Sequence, residues 1–409
     1  MSALYLQNLR LPGAPTELTE LRVEQGHFVA AFSRDVHPQE LDLNGGLVLP
    51  GLIETHIHLD KACILDRCTL SAGTLAEAIA ETSAAKAGFT EADVYQRGAR
   101  VLEMAIAQGT MHMRTHVEID PQIGLTGFNA VRRLQADYAW AVDLQICVFP
   151  QEGMLNNSGT EALLCEALAQ GAEVLGGCPY TDSDPHGQIR RLFELAVAHD
   201  CDLDFHLDFD LDPTGMTLPE VLRCTELHGW GGRVTVGHAT KLSMLDSEAL
   251  QAITAQLAKA EVQVTCLPST DLYLGGRHCT HAKPRGVAPL ERLQAGGVTC
   301  SLSTNNLGNP FTPFGDASLI RQANLYANIA QLGTDANLRN CLGWISTESA
   351  RLLRLRDYGL ESGCRADFIV LDAPHPAAVI GQLSPPLMGF KNGRQTFFRE
   401  RPRLLQPGV

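Results

Sequence analysis

A chain of 409 residues is too long for one minimal domain and suits a large barrel carrying a small appendage. With 45% hydrophobic and 19% charged residues it is neither a disordered nor a fibrous composition. The net charge of −14 argues against nucleic acid or an anionic membrane surface as partner, and a small-molecule substrate is expected instead.

Twelve cysteines without a CxxC pair exclude a zinc-ribbon spacing and a disulfide framework, and read as buried thiols of a reducing compartment. No run of about 18 apolar residues occurs, and the N-terminus lacks the basic stretch and apolar core of a leader. The expected location is the cytoplasm.

In chain order, residues 1–48 predict short strands at Ala3–Leu6, Leu21–Glu24 and His27–Phe32, separated by turn residues. The apolar run from Gly46 to Ile53 then reads as one strand leading into His56 and His58. Further strands are predicted at Met111–Val117, Asp143–Phe149, Val174–Gly177, Asp202–His206, Val234–His238, Val262–Leu267 and Val298–Ser303. Amphipathic helical runs fall between them; Thr90-Glu91-Ala92-Asp93 is a capping-box start for one. Ala366–Asp372 and Lys391–Phe398 have strand character again. Eight strand-then-helix units predict an α/β fold, a (β/α)8 TIM-like barrel over 49–354. Residues 1–48 and 355–409 are expected to build a small β-sandwich from both termini.

Chemistry in such a barrel sits at the C-terminal ends of the strands. Side chains at i and i+2 leave the same face of a strand, so His56 and His58 can point at one spot as paired imidazole ligands. The second strand ends in His116, the fifth in His206 and the sixth in His238. Gln151 follows the third and Asn305-Asn306 ends the eighth. A single histidine at a strand end has an ordinary reading as a hydrogen-bonded core residue; four strands ending in histidine are hard to explain by stability.

The order His-x-His on the first strand, His on the fifth and His on the sixth resembles the amidohydrolase superfamily, whose eighth strand carries an acid. The local runs Glu54–Lys61, Arg114–Val117, Phe149–Gly153, His206–Asp208 and Asn309–Asp316 resemble its bacterial cytosine deaminase branch. The resemblance implies one divalent metal ion, zinc or iron, held by His56, His58 and His206, with His238 orienting and deprotonating the attacking water. It implies a substrate-binding role for Gln151, whose amide can donate and accept. No lysine ends the fourth strand, where binuclear relatives carry a carbamylated bridge, so a single ion is expected. A homo-oligomer would be in keeping with such relatives.

Two residues depart from that pattern. Phe209 stands where the deaminases carry a glutamate that protonates the ring, and Asn305 where they carry the aspartate that is both ligand and base. An amide oxygen binds a metal more weakly than a carboxylate and accepts no proton near neutral pH. It also leaves the ion's charge uncompensated, which favours acidic water. These effects oppose each other. Asp208 is expected to orient a ligand histidine, and Asp271 is a candidate relocated acid. Lys61 reads as binding a substrate carboxylate or pairing with Asp60 or Asp66, and Phe209 as an apolar wall for a flat ring. Loops 60–75, 268–286 and 305–316 are the expected carriers of specificity.

The leading expectation is a metal-dependent hydrolase of a C–N bond in a small nitrogen heterocycle or cyclic amide, with cytosine itself disfavoured by Phe209. Two alternatives stand beside it. One is a metal-poor, catalytically impaired binding protein; the other is a metal-independent lyase or isomerase using Lys61 or a histidine as base.

Overall fold

The computed structural model describes residues 3–405, so the first two and last four residues of the expected terminal unit lie outside it. Eight parallel strands follow one another around a nearly closed barrel. They are β1 (Leu52–Ile57), β2 (Thr110–Glu118), β3 (Asp143–Phe149), β4 (Val174–Gly177), β5 (Asp202–Leu207), β6 (Val234–His238), β7 (Val262–Cys266) and β8 (Cys300–Leu302). The seam between β1 and β8 is drawn together at its upper end. His58 N donates to Asn305 O and Asn305 N to His56 O, each at 2.9 Å.

The strands alternate because the side-chain period is two. On β2, Met111, Met113 and Val117 join the apolar layer under the helices, while His112, Arg114, His116 and Glu118 are the buried polar set on the other face. On β5, Leu203, Phe205 and Leu207 join that layer, leaving Asp204 and His206 opposite. On these two strands half of the side chains are thus committed to packing and half to polar chemistry. Helix Glu91–Ala107 begins as the sequence implies, with Thr90 Oγ1 accepting from Asp93 N at 3.2 Å. Among the described residues, no helix is long and apolar enough to cross a membrane.

Strands from both ends of the chain form a separate seven-stranded sheet, in the spatial order 394–398, 386–391, 368–371, 39–50, 4–11, 14–24, 27–28. Its own apolar cluster includes Leu6, Leu9, Val23, Phe28, Val48, Phe368 and Phe390. The apolar run expected as one strand is split at Gly51: Gln39–Pro50 belongs to this sheet and Leu52–Ile57 to the barrel. A Cβ at Gly51 would run into the Met111 side chain, so only glycine lets the chain pass there. The strand expected over His27–Phe32 ends after Phe28, where Phe28 N bonds to Cys364 O and the ladder gives way to turns.

A charge cluster joins the two parts below the barrel. Lys391 Nζ, fully buried, lies 2.6 Å from Asp367 and 2.8 Å from Asp143, with His112 and Arg365 alongside. Removing one partner of a buried pair leaves the other charge uncompensated. Lys391→Met should therefore cost roughly 3 kcal/mol, the low end of the usual range because Asp143 is half exposed. Chemical denaturation measures this directly, and a loss under about 1 kcal/mol would show that Arg365 carries the cluster alone.

Candidate active site

The strand-end histidines meet at one point. His206 Nε2 lies 3.1 Å from His56 Nε2 and 3.0 Å from His58 Nε2, and all three rings are buried. Burial, and the neighbouring cationic centres Lys61 and the other imidazoles, push their pKa values well below the usual 6.5. They are therefore neutral ligand donors at pH 7. His116 stacks on His56 with ring centroids 3.7 Å apart, and His56, His116 and His206 offer donor atoms within 4.8 Å of one another. His58 joins that cluster through His206. The Asn305 amide oxygen is buried without a hydrogen-bond partner on the same chamber. Neutral imidazoles and an unpartnered amide oxygen lining one chamber are donors that suit a divalent metal ion of borderline softness.

A carboxylate supports the cluster from below. Asp204 Oδ1 is 3.4 Å from His116 Nε2 and 3.8 Å from His56 Nδ1, while Asp204 Oδ2 accepts from Arg114 Nη1 at 2.8 Å. Burial alone would raise this carboxyl; His116, His56 and Arg114 together hold it below its ordinary range. Asp204 lies two residues before His206, so the same period-two rule that pairs His56 with His58 also places it on the inner face. Gly237 gives His56 its room, since a Cβ there would stand 3.1 Å from the ring's Cε1 and Nδ1. Gly237→Ala should displace the ring, and a metal ion bound through His56 should then be held about tenfold more weakly, as chelator competition reads. Unchanged retention would mean that His56 adjusts without losing its donor position.

His238 Nδ1 lies 2.6 Å from Asp271 Oδ1, both side chains being buried. Asp271 is held at the start of helix Pro268–Leu274, where its Oδ2 also accepts from Leu267 N at 3.2 Å. Burial raises the Asp271 carboxyl and the facing imidazole opposes the rise. The expected role of Asp208 is overturned: its carboxylate accepts from the backbone N–H groups of Thr217 and Leu218, at 2.8 and 3.1 Å, and so caps that segment instead of orienting a ligand histidine. The backbone turns left-handed at Asp208 (φ 49°), His238 (φ 67°) and Asn305 (φ 64°), three strand-end positions where the chain bends sharply to present its side chain.

Lys61, only 1% exposed, pairs with neither Asp60 nor Asp66. Its Nζ donates to Glu118 Oε1 at 2.6 Å and Gln151 Oε1 at 3.0 Å, and lies 4.5 Å from the Phe311 ring centroid. Glu118 is shared with Lys86 at 2.9 Å, which also meets Asp120 and Glu152. Burial would raise the Glu118 carboxyl, but the two ammonium groups hold it ionised. Gln151 Nε2 donates to Cys178 Sγ at 3.4 Å, so both ends of that amide are already engaged. Phe209 packs against His238 with ring centroids 4.1 Å apart and joins Ala78, Leu274 and Phe311 in an apolar plug over the chamber.

His58, Lys61, Gln151, His206, Phe209, His238 and Asn305 thus line one chamber, and His56 stands directly behind it. Tyr180, Thr270, Asn306 and Phe311 line it too. Asn306 stands beside Asn305 at the expected strand end and Phe311 lies in the Asn309–Asp316 run, whereas nothing in the local sequence singles out Tyr180 or Thr270. A cleft of about 180 Å³ opens beyond the plug, between Thr74-Leu75 and Leu274–His278, two of the three loops expected to carry specificity.

This arrangement of barrel, terminal sheet and histidine cluster can be set beside known proteins. A model of the amidohydrolase family matches residues 39–129 and 94–395. The N-isopropylammelide isopropyl amidohydrolase of Pseudomonas sp. (strain ADP) is 27% identical over 365 residues, 87% of each chain. The pterin deaminase of Rhizobium rhizogenes is 30% identical over 346 residues, 82% of this chain and 78% of its own. The crystal structure of 5-methylcytosine deaminase from Klebsiella pneumoniae with 5-fluorocytosine superposes with a TM-score of 0.93 at 26% identity, covering 99% of this chain and all of the other. With its strand-end histidines on that shared frame, the chain belongs to the amidohydrolase family, in the branch that resembles cytosine deaminase.

Proposed function

We propose that this amidohydrolase cleaves a C–N bond of a small nitrogen heterocycle or cyclic amide, using one divalent ion, zinc or iron. His56, His58 and His206 would hold the ion, with Asn305 Oδ1 as a neutral fourth donor. The observation that carries this reading is the meeting of three buried neutral imidazoles at 3.0–3.1 Å beside the His238–Asp271 pair. When bound, the ion supplies Lewis acidity and lowers the pKa of water.

The chain's own residues supply the proton chemistry. Asp271 accepts a hydrogen bond from His238 Nδ1–H, which leaves Nε2 without a proton on a ring that lines the chamber. As water adds to the ring carbon, Nε2 takes its proton; as the C–N bond breaks, the same proton passes to the departing nitrogen. Water and substrate thus give an oxo product and an amine or ammonia. Phe209 offers a flat apolar face and no proton, so a reaction that needs little ring protonation suits the site. Release of a substituted side-chain amine or opening of a cyclic amide meets that condition better than deamination of cytosine. The names of the relatives, an ammelide amidohydrolase and a pterin deaminase, support a heterocyclic substrate.

Elemental analysis of the purified protein, followed by a panel of pyrimidines, triazines, pterins and cyclic imides, tests the proposal. About one zinc or iron per chain and turnover within one of these classes are expected. A metal-free protein that stays inert after zinc or iron is added would sink it.

A further inference from the structure

The loss of a ring-protonating carboxylate at position 209 raises the question of what stabilises the charge that addition of water pushes onto the ring. Within the proposed hydrolytic reading, we propose that Lys61 is a catalytic residue: its ammonium group binds a carbonyl oxygen of the substrate ring and stabilises the negative charge that develops there. The substrate class this selects is an oxo-heterocycle whose carbonyl is conjugated with the reacting carbon.

The placement carries the argument. Lys61 Nζ lines the same chamber as His58, His238 and Asn305, yet its side chain is almost wholly removed from solvent. Two of its three N–H donors are fixed, one on Glu118 at 2.6 Å and one on Gln151 Oε1 at 3.0 Å. The third is left for the chamber, under the Phe311 and Phe149 rings at 4.5 and 5.6 Å. A buried ammonium fixed by two acceptors needs no reorganisation when charge develops beside it, which is the condition for strong electrostatic stabilisation.

Its own counter-charge is diluted, because Glu118 is also bound by Lys86 at 2.9 Å. Gln151 strengthens the selection: with its oxygen committed to Lys61 and one N–H on Cys178 Sγ, only its second N–H is left for a ligand, and it too seeks an acceptor. On the side formed by Lys61 and Gln151 the chamber therefore offers donors, complementary to a carbonyl and poorly matched to an amino group. During the reaction the water oxygen bonds to the ring carbon and a π electron pair moves through the conjugated ring onto the carbonyl oxygen, which Lys61 holds. The pair returns as the C–N bond breaks and the nitrogen leaves with the proton carried by His238. No oxidant, reductant or second substrate is needed.

The test compares the full-length protein with Lys61→Met and Lys61→Arg, each first checked for melting temperature and metal content. Barbiturate, a planar ring that is an anion with carbonyl oxygens at neutral pH, is the binding probe, read by calorimetry. Wild type and Lys61→Arg should bind it, and Lys61→Met at least about tenfold more weakly, as loss of a charged hydrogen bond predicts. On a ring-carbonyl substrate from the panel, Lys61→Met should lower kcat by about 10²–10³ with a much smaller change in KM. Equal barbiturate affinity in wild type and Lys61→Met, or no binding by either, would overturn the proposal. A change in KM alone would also overturn it, reducing Lys61 to a substrate anchor. A wild type that binds barbiturate through Lys61 but turns over nothing would support the anion-binding role while sinking the hydrolase reading.

Discussion

Replacing Asp271 with asparagine is expected to lower kcat by about 10³–10⁴ without changing metal content, the size of effect seen when an orienting carboxylate behind a catalytic histidine becomes an amide. Asp271 is fully buried and its Oδ1 sits 2.6 Å from His238 Nδ1, so it sets which ring nitrogen carries the proton. Asparagine can turn its NH₂ group to the same nitrogen, forcing the proton to Nε2 and blocking the atom that must accept one from water. The volume is unchanged and no charge is added, so the fold should tolerate the exchange. Steady-state rates on the first active substrate, with elemental analysis of both proteins, measure it. A drop of less than tenfold with metal intact would remove His238 from the role of base.

Asn305→Asp should act in the opposite sense on the metal. The amide oxygen of Asn305 is buried without a partner, and its backbone is clamped to His56 and His58 across the barrel seam. A carboxylate there brings a full negative charge to a cluster of neutral imidazoles in a medium of low polarity, where such a charge is worth several kcal/mol to a cation. Retention of zinc against a chelator should rise at least about tenfold, and generally more. A wild type that loses its ion on dialysis while Asn305→Asp keeps it would locate the weakness of the site at this one residue. Equal retention in both would show that residue 305 stands outside the ligand set.

Much of this was legible in the sequence wherever a local rule governs. The period of two on β1 predicts that His56 and His58 share a face, and both now stand within reach of His206. Apolar runs punctuated by turns predict all eight barrel strands, three of them residue for residue: Asp143–Phe149, Val174–Gly177 and Val234–His238. What failed to show were choices made between distant segments. The partner of Lys61 is Glu118, 57 residues on, because curling the strands into a barrel brings those two inner faces together. Asp271 bonds His238 across 33 residues, whereas Asp208, nearer in sequence to the ligands, turns away to cap a loop. The segment 268–286 expected as a loop begins as a short helix, Pro268–Leu274, with proline at its first turn. The signal for that helix was present, but a helix of seven residues competes poorly with loop chemistry when read alone.

The seven-stranded sheet has a consequence for how the molecule comes into being. Strand 39–50 finds one neighbour in residues 4–11 and the other in residues 368–371, at the far end of the chain. During synthesis the ribosome releases the first neighbour at once and the second only after more than three hundred further residues, the entire barrel among them. Until then one side of strand 39–50 presents an open ladder of N–H and C=O groups, and that strand runs through Gly51 straight into the one bearing His56 and His58. The nascent chain must keep this edge from pairing with another copy of itself until its own C-terminal strands arrive, so the step most exposed to aggregation is the last to close.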